Sequence, residues 1–190
     1  MGRESPSDGA TADRWPWARP TVSVGYSGTP LSKKLGIKEG HQVHLAGAPE
    51  GFERALDRLP PSVRIERVGR TVDRAGPGAV RELHADSLPA ERFDIVLLFC
   101  PREADVDLFA DLVPRIRWDG GIWTCWPKRS SPLHVDLTES RVRSTGLATG
   151  LVDNKICAVT ADWSALRFVV RKQDRPGRAS SSGPESPPLS

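Results

Sequence analysis

The chain has 190 residues, of which 38% are hydrophobic and 27% are charged, with a formal net charge of +3. This length fits one domain with tails. The 27 basic residues are interleaved with 24 acidic ones, which argues against the dense basic stripe of a nucleic-acid-binding protein. No apolar run approaches the ~20 residues that a membrane-spanning helix needs.

Composition divides the chain into three parts. Residues 1–22 and 173–190 are rich in glycine, proline, serine and charge without periodicity, and we expect both to be disordered tails. Residues 23–172 hold the predicted folded domain. In the first tail, Trp15 and Trp17 flank a proline, and they form either a short interaction motif or a segment that packs onto the domain.

Strands alternate with helices along the predicted domain. Helices are assigned where apolar residues recur at three and four positions, and strands where they alternate or run without interruption. In chain order the predictions are a helix at Leu31–Leu35, a strand at Gln42–Ala46, a helix from Phe52 to Leu59, strands at Val63–Val68 and Phe93–Phe99, a helix at Glu103–Val113, a turn at Trp118–Gly121, a strand at Ile122–Trp126, a helix at Thr138–Thr149, and strands at Asn154–Thr160 and Leu166–Arg171.

The short connections between these elements predict an α/β fold. Its sheet is mostly parallel with helices on both faces, and the last two strands form an antiparallel pair. This order resembles the Rossmann-like fold of the class I S-adenosylmethionine-dependent methyltransferases. The resemblance implies a cofactor held by the turn after the first strand, here Gly47–Gly51.

A second resemblance is closer and covers nearly the whole predicted domain. It is to a bacterial family catalogued only as a domain of unknown function, which implies a bacterial source and the same fold but no activity. The segments that carry it are Gly25–Phe52, Asp94–Phe99, Gly120–Ser131 and Thr149–Lys172.

The glycine turn departs from the methyltransferase pattern of an acid followed by three alternate glycines. Gly47 and Gly51 stand at the first and third glycines, but Leu45 replaces the acid and Pro49 the middle glycine. Proline removes an N–H group and adds bulk where a ligand would press. If S-adenosylmethionine binds, Gly47, Gly51 and the second-strand acid Glu66 are the expected contacts; a tight connection without ligand is the alternative.

A second candidate site follows a later strand. Trp126, Lys128, Arg129 and Ser130 place an aromatic face, two cations and a hydroxyl at the carboxyl end of the sheet, where open parallel sheets bind ligands. This segment is either an anion-binding loop or a basic surface loop. Tyr26 precedes the first strand. It belongs either to a lid that stacks on the ligand or to a segment that only caps the domain.

Cysteines and histidines supply no evident catalytic or metal-binding set. Cys100, Cys125 and Cys157 lie in apolar runs without metal-ligand spacing, which indicates a reducing, cytoplasmic compartment. Cys100 and Cys125 end neighbouring predicted strands and are either a redox pair or two buried thiols. The four histidines are scattered along the chain.

Three hypotheses about function follow. The first is a methyltransferase-like domain without standard catalysis that binds a small anionic or nucleotide-like ligand, or a protein. The second is a divergent methyltransferase that uses S-adenosylmethionine, and the third is a weak association with nucleic acid through scattered cations. The ligand, turnover and the oligomeric state stay open at this point.

Overall fold

The computed structural model describes residues 28–68 and 92–176. The predictions for Tyr26, for the whole first tail and for residues 177–190 of the second tail lie outside the described residues. The strands are β1 Gln42–Ala46, β2 Arg64–Val68, β3 Phe93–Phe99, β4 Ile116–Pro127, β5 Val152–Ala158 and β6 Trp163–Val169, and the α-helices are α1 Leu31–Leu35, α2 Phe109–Leu112 and α3 Glu139–Ala148.

The six strands form one sheet in the order β2-β1-β3-β4-β6-β5. The first four strands are parallel to one another, β6 is antiparallel to β4, and β5 is antiparallel to β6. The predicted fold class is therefore confirmed, including the antiparallel pair at the end of the chain. The strand order reverses between β1 and β3, and such a switch point opens a crevice at the carboxyl ends of the strands.

Both faces of the sheet are covered by a hydrophobic core. Successive residues of the central strand β3 therefore pack in different cores. In β3, Val96 and Leu98 pack in one core, whereas Ile95 and Leu97 pack in the other. This explains why residues 95–99 of β3 are all apolar: a parallel strand with two buried faces has no solvent side. The helices α2 and α3 cover the first face, and α1 covers the second.

The helix predicted from Phe52 to Leu59 is wrong in length and type. The structure has a five-residue 3-10 helix, Phe52–Leu56. Arg58 has a positive φ of 54°, which ends helical geometry, and the Ser32 hydroxyl donates to the Asp57 carbonyl at 3.1 Å. Leu59 is consequently exposed rather than part of a buried face.

The turn predicted at Trp118–Gly121 is also wrong, because these residues belong to β4. Phe93 lies opposite Ile116, but Ile95 lies opposite Gly121, so the extra residues of β4 form a bulge. A Cβ atom on Gly120 would lie 2.7 Å from the Asp94 carbonyl oxygen. Glycine is therefore required here by the close approach of a neighbouring strand, not by a change of chain direction.

The remaining helices and strands differ from the predictions mainly at their ends. The helix predicted at 103–113 is divided into the 3-10 helix Glu103–Leu108, α2 and the 3-10 helix Val113–Arg115. The helix α3 begins after Thr138, whose side chain accepts a hydrogen bond from the Arg141 amide. Within the described ranges, every helix is too short or too polar to span a bilayer.

Candidate functional site

The carboxyl ends of β1, β3 and β4 lie side by side, and the chain leaves them at Gly47, Cys100 and Lys128. This is the edge at which open α/β sheets bind their ligands. The predicted cofactor turn and the predicted anion loop therefore share one edge of the sheet.

The turn after β1 uses glycine for its backbone geometry. Gly47 and Gly51 have φ values of 66° and 72°, a region that residues with a Cβ adopt at a cost. The Phe52 amide donates to the Pro49 carbonyl at 3.2 Å, so this N–H group is used inside the turn. The two glycines retained from the methyltransferase pattern thus shape the connection itself.

Arg67 ties the end of β2 to this turn. Its Nη1 atom donates to the Ala48 carbonyl at 2.7 Å and its Nη2 atom to the Pro49 carbonyl at 2.9 Å. The same guanidinium contacts both carboxylate oxygens of Glu53, at 2.9 and 3.0 Å. The hydrogen bond from Arg67 is the main reason that the pKa of Glu53 is lowered.

Glu66 lies on the other side of β2 from Arg67. In the sheet register Glu66 is opposite His44 and Arg67 is opposite Leu45, and side chains of successive strand residues point to opposite faces. Glu66 lines a cleft together with Gln42, which is the first residue of β1. The structure therefore brings Gly47 and Gly51 into one turn with Arg67, and places Glu66 on the other face.

Sequence reasoning did not single out Arg67. The signal in the sequence was that Arg67 directly follows the candidate acid Glu66, and that Glu53 comes shortly after the glycine turn. Which of the two neighbouring residues faces the turn depends on strand register, and that is a property of the folded sheet.

The loop after β4 is organised mainly by its own contacts. Trp126 is buried in the core on the α3 side of the sheet. The Lys128 ammonium donates to the carbonyls of Thr160 and Ala161 at 2.7 and 3.0 Å, which ties the loop to the β5–β6 connection. Two of the predicted ligand-binding residues, Trp126 and Lys128, thus have structural contacts.

The rest of this loop is open to solvent. Arg129 and Ser130 are exposed, and neither side chain forms a hydrogen bond or an ion pair with a described residue. Ser131 is buried, and its hydroxyl accepts the Leu133 amide at 3.1 Å. Arg129 and Ser130 are therefore the predicted side chains that a ligand can reach without breaking a contact.

Three aromatic rings pack together on the α1 side of this edge. Phe99, the last residue of β3, lies edge-on to Phe52 and to Trp163, with ring centroids 4.8 and 5.1 Å apart. All three side chains are buried. Aromatic pairs of this kind add stability beyond the area they bury, and they give the turn a rigid support.

Cys100 and Cys125 are neighbours in the backbone but not in their side chains. The Cys100 amide donates to the Cys125 carbonyl at 2.8 Å, yet the two thiols enter the cores on opposite faces of the sheet. Burial raises the pKa of both thiols well above the ordinary value. This placement favours the predicted alternative of two buried, unreactive thiols.

His44 is a buried polar residue in the middle of β1. Neither ring nitrogen has a hydrogen-bond partner among the described residues, and the ring lies against Phe93 with centroids 4.8 Å apart. Desolvation lowers the pKa of His44 from 6.5 to about 4. Within the described residues, no group of three or more histidine, cysteine, aspartate or glutamate side chains is arranged to hold a metal ion.

We expect His44 to make the protein less stable in acid. Between pH 6.5 and 4 the unfolded chain binds a proton at His44 that the folded chain does not, so stability falls as the pH falls. Across that window the loss is about 3 kcal/mol. Urea unfolding at several pH values should show this component in the wild type and not in His44→Leu.

The exposed His134 supplies the control for this experiment. His134→Asn should keep the full pH dependence of the wild type, because it leaves the buried His44 in place. Equal slopes for His44→Leu and the wild type would show that His44 is not the group responsible.

Solved structures with the same arrangement define the class of fold. The pyocyanin biosynthetic protein PhzM is 16% identical over 74% of this chain and 53% of its own, with a TM-score of 0.54. A SAM-dependent methyltransferase from Aquifex aeolicus is 12% identical over 72% of this chain and 85% of its own, with a TM-score of 0.51. The calicheamicin methyltransferase CalO1, in its SAH-bound form, is 14% identical over 74% and 52%, with a TM-score of 0.50.

The domain therefore has a methyltransferase-like Rossmann fold, as the sequence predicted. This chain spans about half of the length of PhzM. At such low identities the likeness concerns the fold and not the reaction.

One family is similar to this chain at the level of sequence. Residues 79–172 match the family described as "Protein of unknown function (DUF3052)". This stretch is just under half of the chain and contains three of the four segments that carried the predicted resemblance. The resemblance to a family of unknown function is thus confirmed, whereas the bacterial source stays a prediction. No curated protein matches the sequence.

Proposed function

We propose that this domain is a methyltransferase-like binding module that does not use the standard adenosyl cofactor site. The observation that carries the proposal is the set of contacts made by Arg67. Its guanidinium joins the end of β2 to the carbonyls of Ala48 and Pro49 and to Glu53. A carboxylate near the end of β2 would accept the ribose hydroxyls in a nucleotide-binding sheet.

A guanidinium in this region has the opposite chemistry. It donates hydrogen bonds and accepts none, so it cannot accept the ribose hydroxyls, and its charge is already paired with Glu53. Opening the turn would break several hydrogen bonds to a charged group, each worth roughly 1.5–3 kcal/mol. Pro49, which lacks an N–H group, removes one further contact that a cofactor turn supplies.

In this proposal the ligand is a small anionic molecule or a segment of a protein that binds at the carboxyl edge. Arg129 and Ser130 are the side chains offered to it, since both are exposed and make no contact with described residues. Tyr26 is a further proposed contact from the segment before α1. The proposed compartment is the cytoplasm, where free buried thiols such as Cys100 and Cys125 stay reduced.

Calorimetry of the full chain with S-adenosylhomocysteine tests this proposal. We expect no binding heat at millimolar ligand for the wild type, because the Arg67 contacts hold the turn closed. A dissociation constant in the micromolar range for the wild type would overturn the proposal.

A divergent methyltransferase is the second candidate function. It is favoured by Gly47 and Gly51, which keep the positive φ values that let a backbone approach a ligand closely. This candidate requires that the wild type bind S-adenosylmethionine and that Gly47→Val abolish binding, so the same calorimetry separates the two functions.

A further inference from the structure

The opposite edge of the sheet carries a polar cleft. We call it the amino-edge groove; it lies at the amino ends of β1, β2 and β4 and has a volume of about 490 Å³. This size lies within the range of small-molecule sites. Its lining residues are Gly40, Gln42, Ser62, Val63, Arg64 and Arg117.

The groove offers hydrogen-bond donors and positive charge. Two guanidinium groups, one hydroxyl and one carboxamide line it, and none of the lining residues is acidic. Arg64 is exposed, and its side chain has no hydrogen-bond or ion-pair partner among the described residues. An unpaired guanidinium is suited to a carboxylate or a phosphate, which it can bind through two parallel hydrogen bonds.

Arg117 is held in position beside the groove. Its Nε atom lies 3.4 Å from an Asp94 carboxylate oxygen, and its Nη2 atom donates to the Gln42 side-chain oxygen at 3.2 Å. The other Asp94 carboxylate oxygen accepts a hydrogen bond from the Gln42 backbone N–H group at 2.8 Å. Asp94 thus orients Arg117 and balances one positive charge, while the charge of Arg64 is left for an incoming anion.

The wall of the groove has an unusual backbone. Ser62 has a φ of 59° although it is not glycine, a conformation that is strained for a residue with a Cβ atom. The neighbouring Pro61 carbonyl accepts the Gly40 amide at 3.0 Å. This hydrogen bond ties the backbone next to Ser62 to Gly40, which also lines the groove. Strained residues of this kind cluster at ligand sites.

A second cleft continues from the first. It has a volume of about 280 Å³, shares Gln42 and Arg64 with the amino-edge groove, and is also lined by Ile65, Glu66 and Phe93. Phe93 is buried in the core and Ile65 packs against the opposite face of the sheet, so this cleft offers little apolar surface to a ligand. The Glu66 carboxylate would repel an anionic group here, which leaves the Arg64 end of the groove as the place for an anion.

We propose that the amino-edge groove binds a small organic oxyanion, a carboxylate or a phosphate monoester, with the anionic group between Arg64 and Arg117. This site is distinct from the carboxyl-edge site, and its test does not depend on the function proposed there.

A titration of the full ¹⁵N-labelled chain followed by NMR tests the proposal. The probes are phenyl phosphate, benzoate and inorganic phosphate, which separate a phosphate from a carboxylate. We expect saturable shifts at the Gly40 and Gln42 amides with one aromatic probe, and inorganic phosphate should bind about as well as phenyl phosphate because the arginines recognise the oxyanion. The Gly47 amide, at the far edge, should not move.

Substitutions decide whether the arginines are responsible. Arg64→Ala should weaken the binding of the aromatic probe about tenfold or more, because a charge-assisted hydrogen-bond pair is lost, and Arg64→Lys should recover part of it. Arg171→Ala is the matched control and should leave the affinity unchanged. Shifts that do not saturate, or that are the same in Arg64→Ala and the wild type, would overturn the proposal.

Discussion

Replacing Gly146 by alanine should lower the free energy of unfolding by about 3 kcal/mol. Gly146 lies in α3, where a Cβ atom would be 2.2 Å from a ring carbon of Phe168. That ring cannot move aside easily, since it is fully buried and packs edge-on against Phe109 with centroids 5.0 Å apart. The intrinsic preference of a helix for alanine over glycine, roughly 1 kcal/mol, is too small to offset the overlap.

Urea unfolding measures this effect, with Gly28→Ala as the control. Gly28 has open space around its Cβ position and no positive φ, so its substitution should change stability by no more than about 0.5 kcal/mol. The double variant Gly146→Ala with Phe168→Leu should be more stable than the sum of the two single effects, because the smaller side chain relieves the overlap. Equal costs for the two glycine variants would show that α3 does not pack as described.

Replacing Trp123 by alanine should cost about 4 kcal/mol. The Trp123 side chain is fully buried in β4, and its Nε1 atom donates to the Leu35 carbonyl at 3.0 Å, which joins the sheet to the end of α1. Trp123→Phe keeps much of the buried area but leaves that carbonyl without its donor, and should cost about 1–3 kcal/mol. Urea unfolding of both variants separates the packing contribution from the hydrogen bond.

Trp118 offers a control in the same strand. It is 47% exposed and lies beside Arg92, with 5.9 Å between the guanidinium and the ring centroid. Such an exposed contact is worth roughly 0.5–1 kcal/mol, so Trp118→Ala should have a small effect. A cost for Trp118→Ala equal to that of Trp123→Ala would contradict the placement of Trp123 in the core.

β3 was predictable because residues 95–99 are all apolar, as a parallel strand with both faces covered requires. β1 and β3 both have the predicted bounds, although β1 contains the buried His44. β4 was not predictable in full, because Gly120 and Gly121 read as a turn. Their true role is to let neighbouring backbone approach closely, and that requirement arises only when β3 and β6 lie beside β4.

The candidate site was predictable in its position but not in its contacts. The glycine spacing located the turn, and the departures at Leu45 and Pro49 indicated an altered cofactor site. The contribution of Arg67 depends on the register of β2 against β1, and the groove at Arg64 depends on which strand ends meet. Both are consequences of pairing between residues far apart in the chain, which local sequence patterns do not encode.

We propose that Arg67 closes the turn against an adenosyl cofactor. The most direct measurement is an NMR titration of the ¹⁵N-labelled full chain with S-adenosylhomocysteine, observed at the amides of Gly47 and Gly51. We expect both signals to stay in place up to millimolar ligand. Saturable movement of these two signals with a micromolar dissociation constant would contradict the claim and support a divergent methyltransferase.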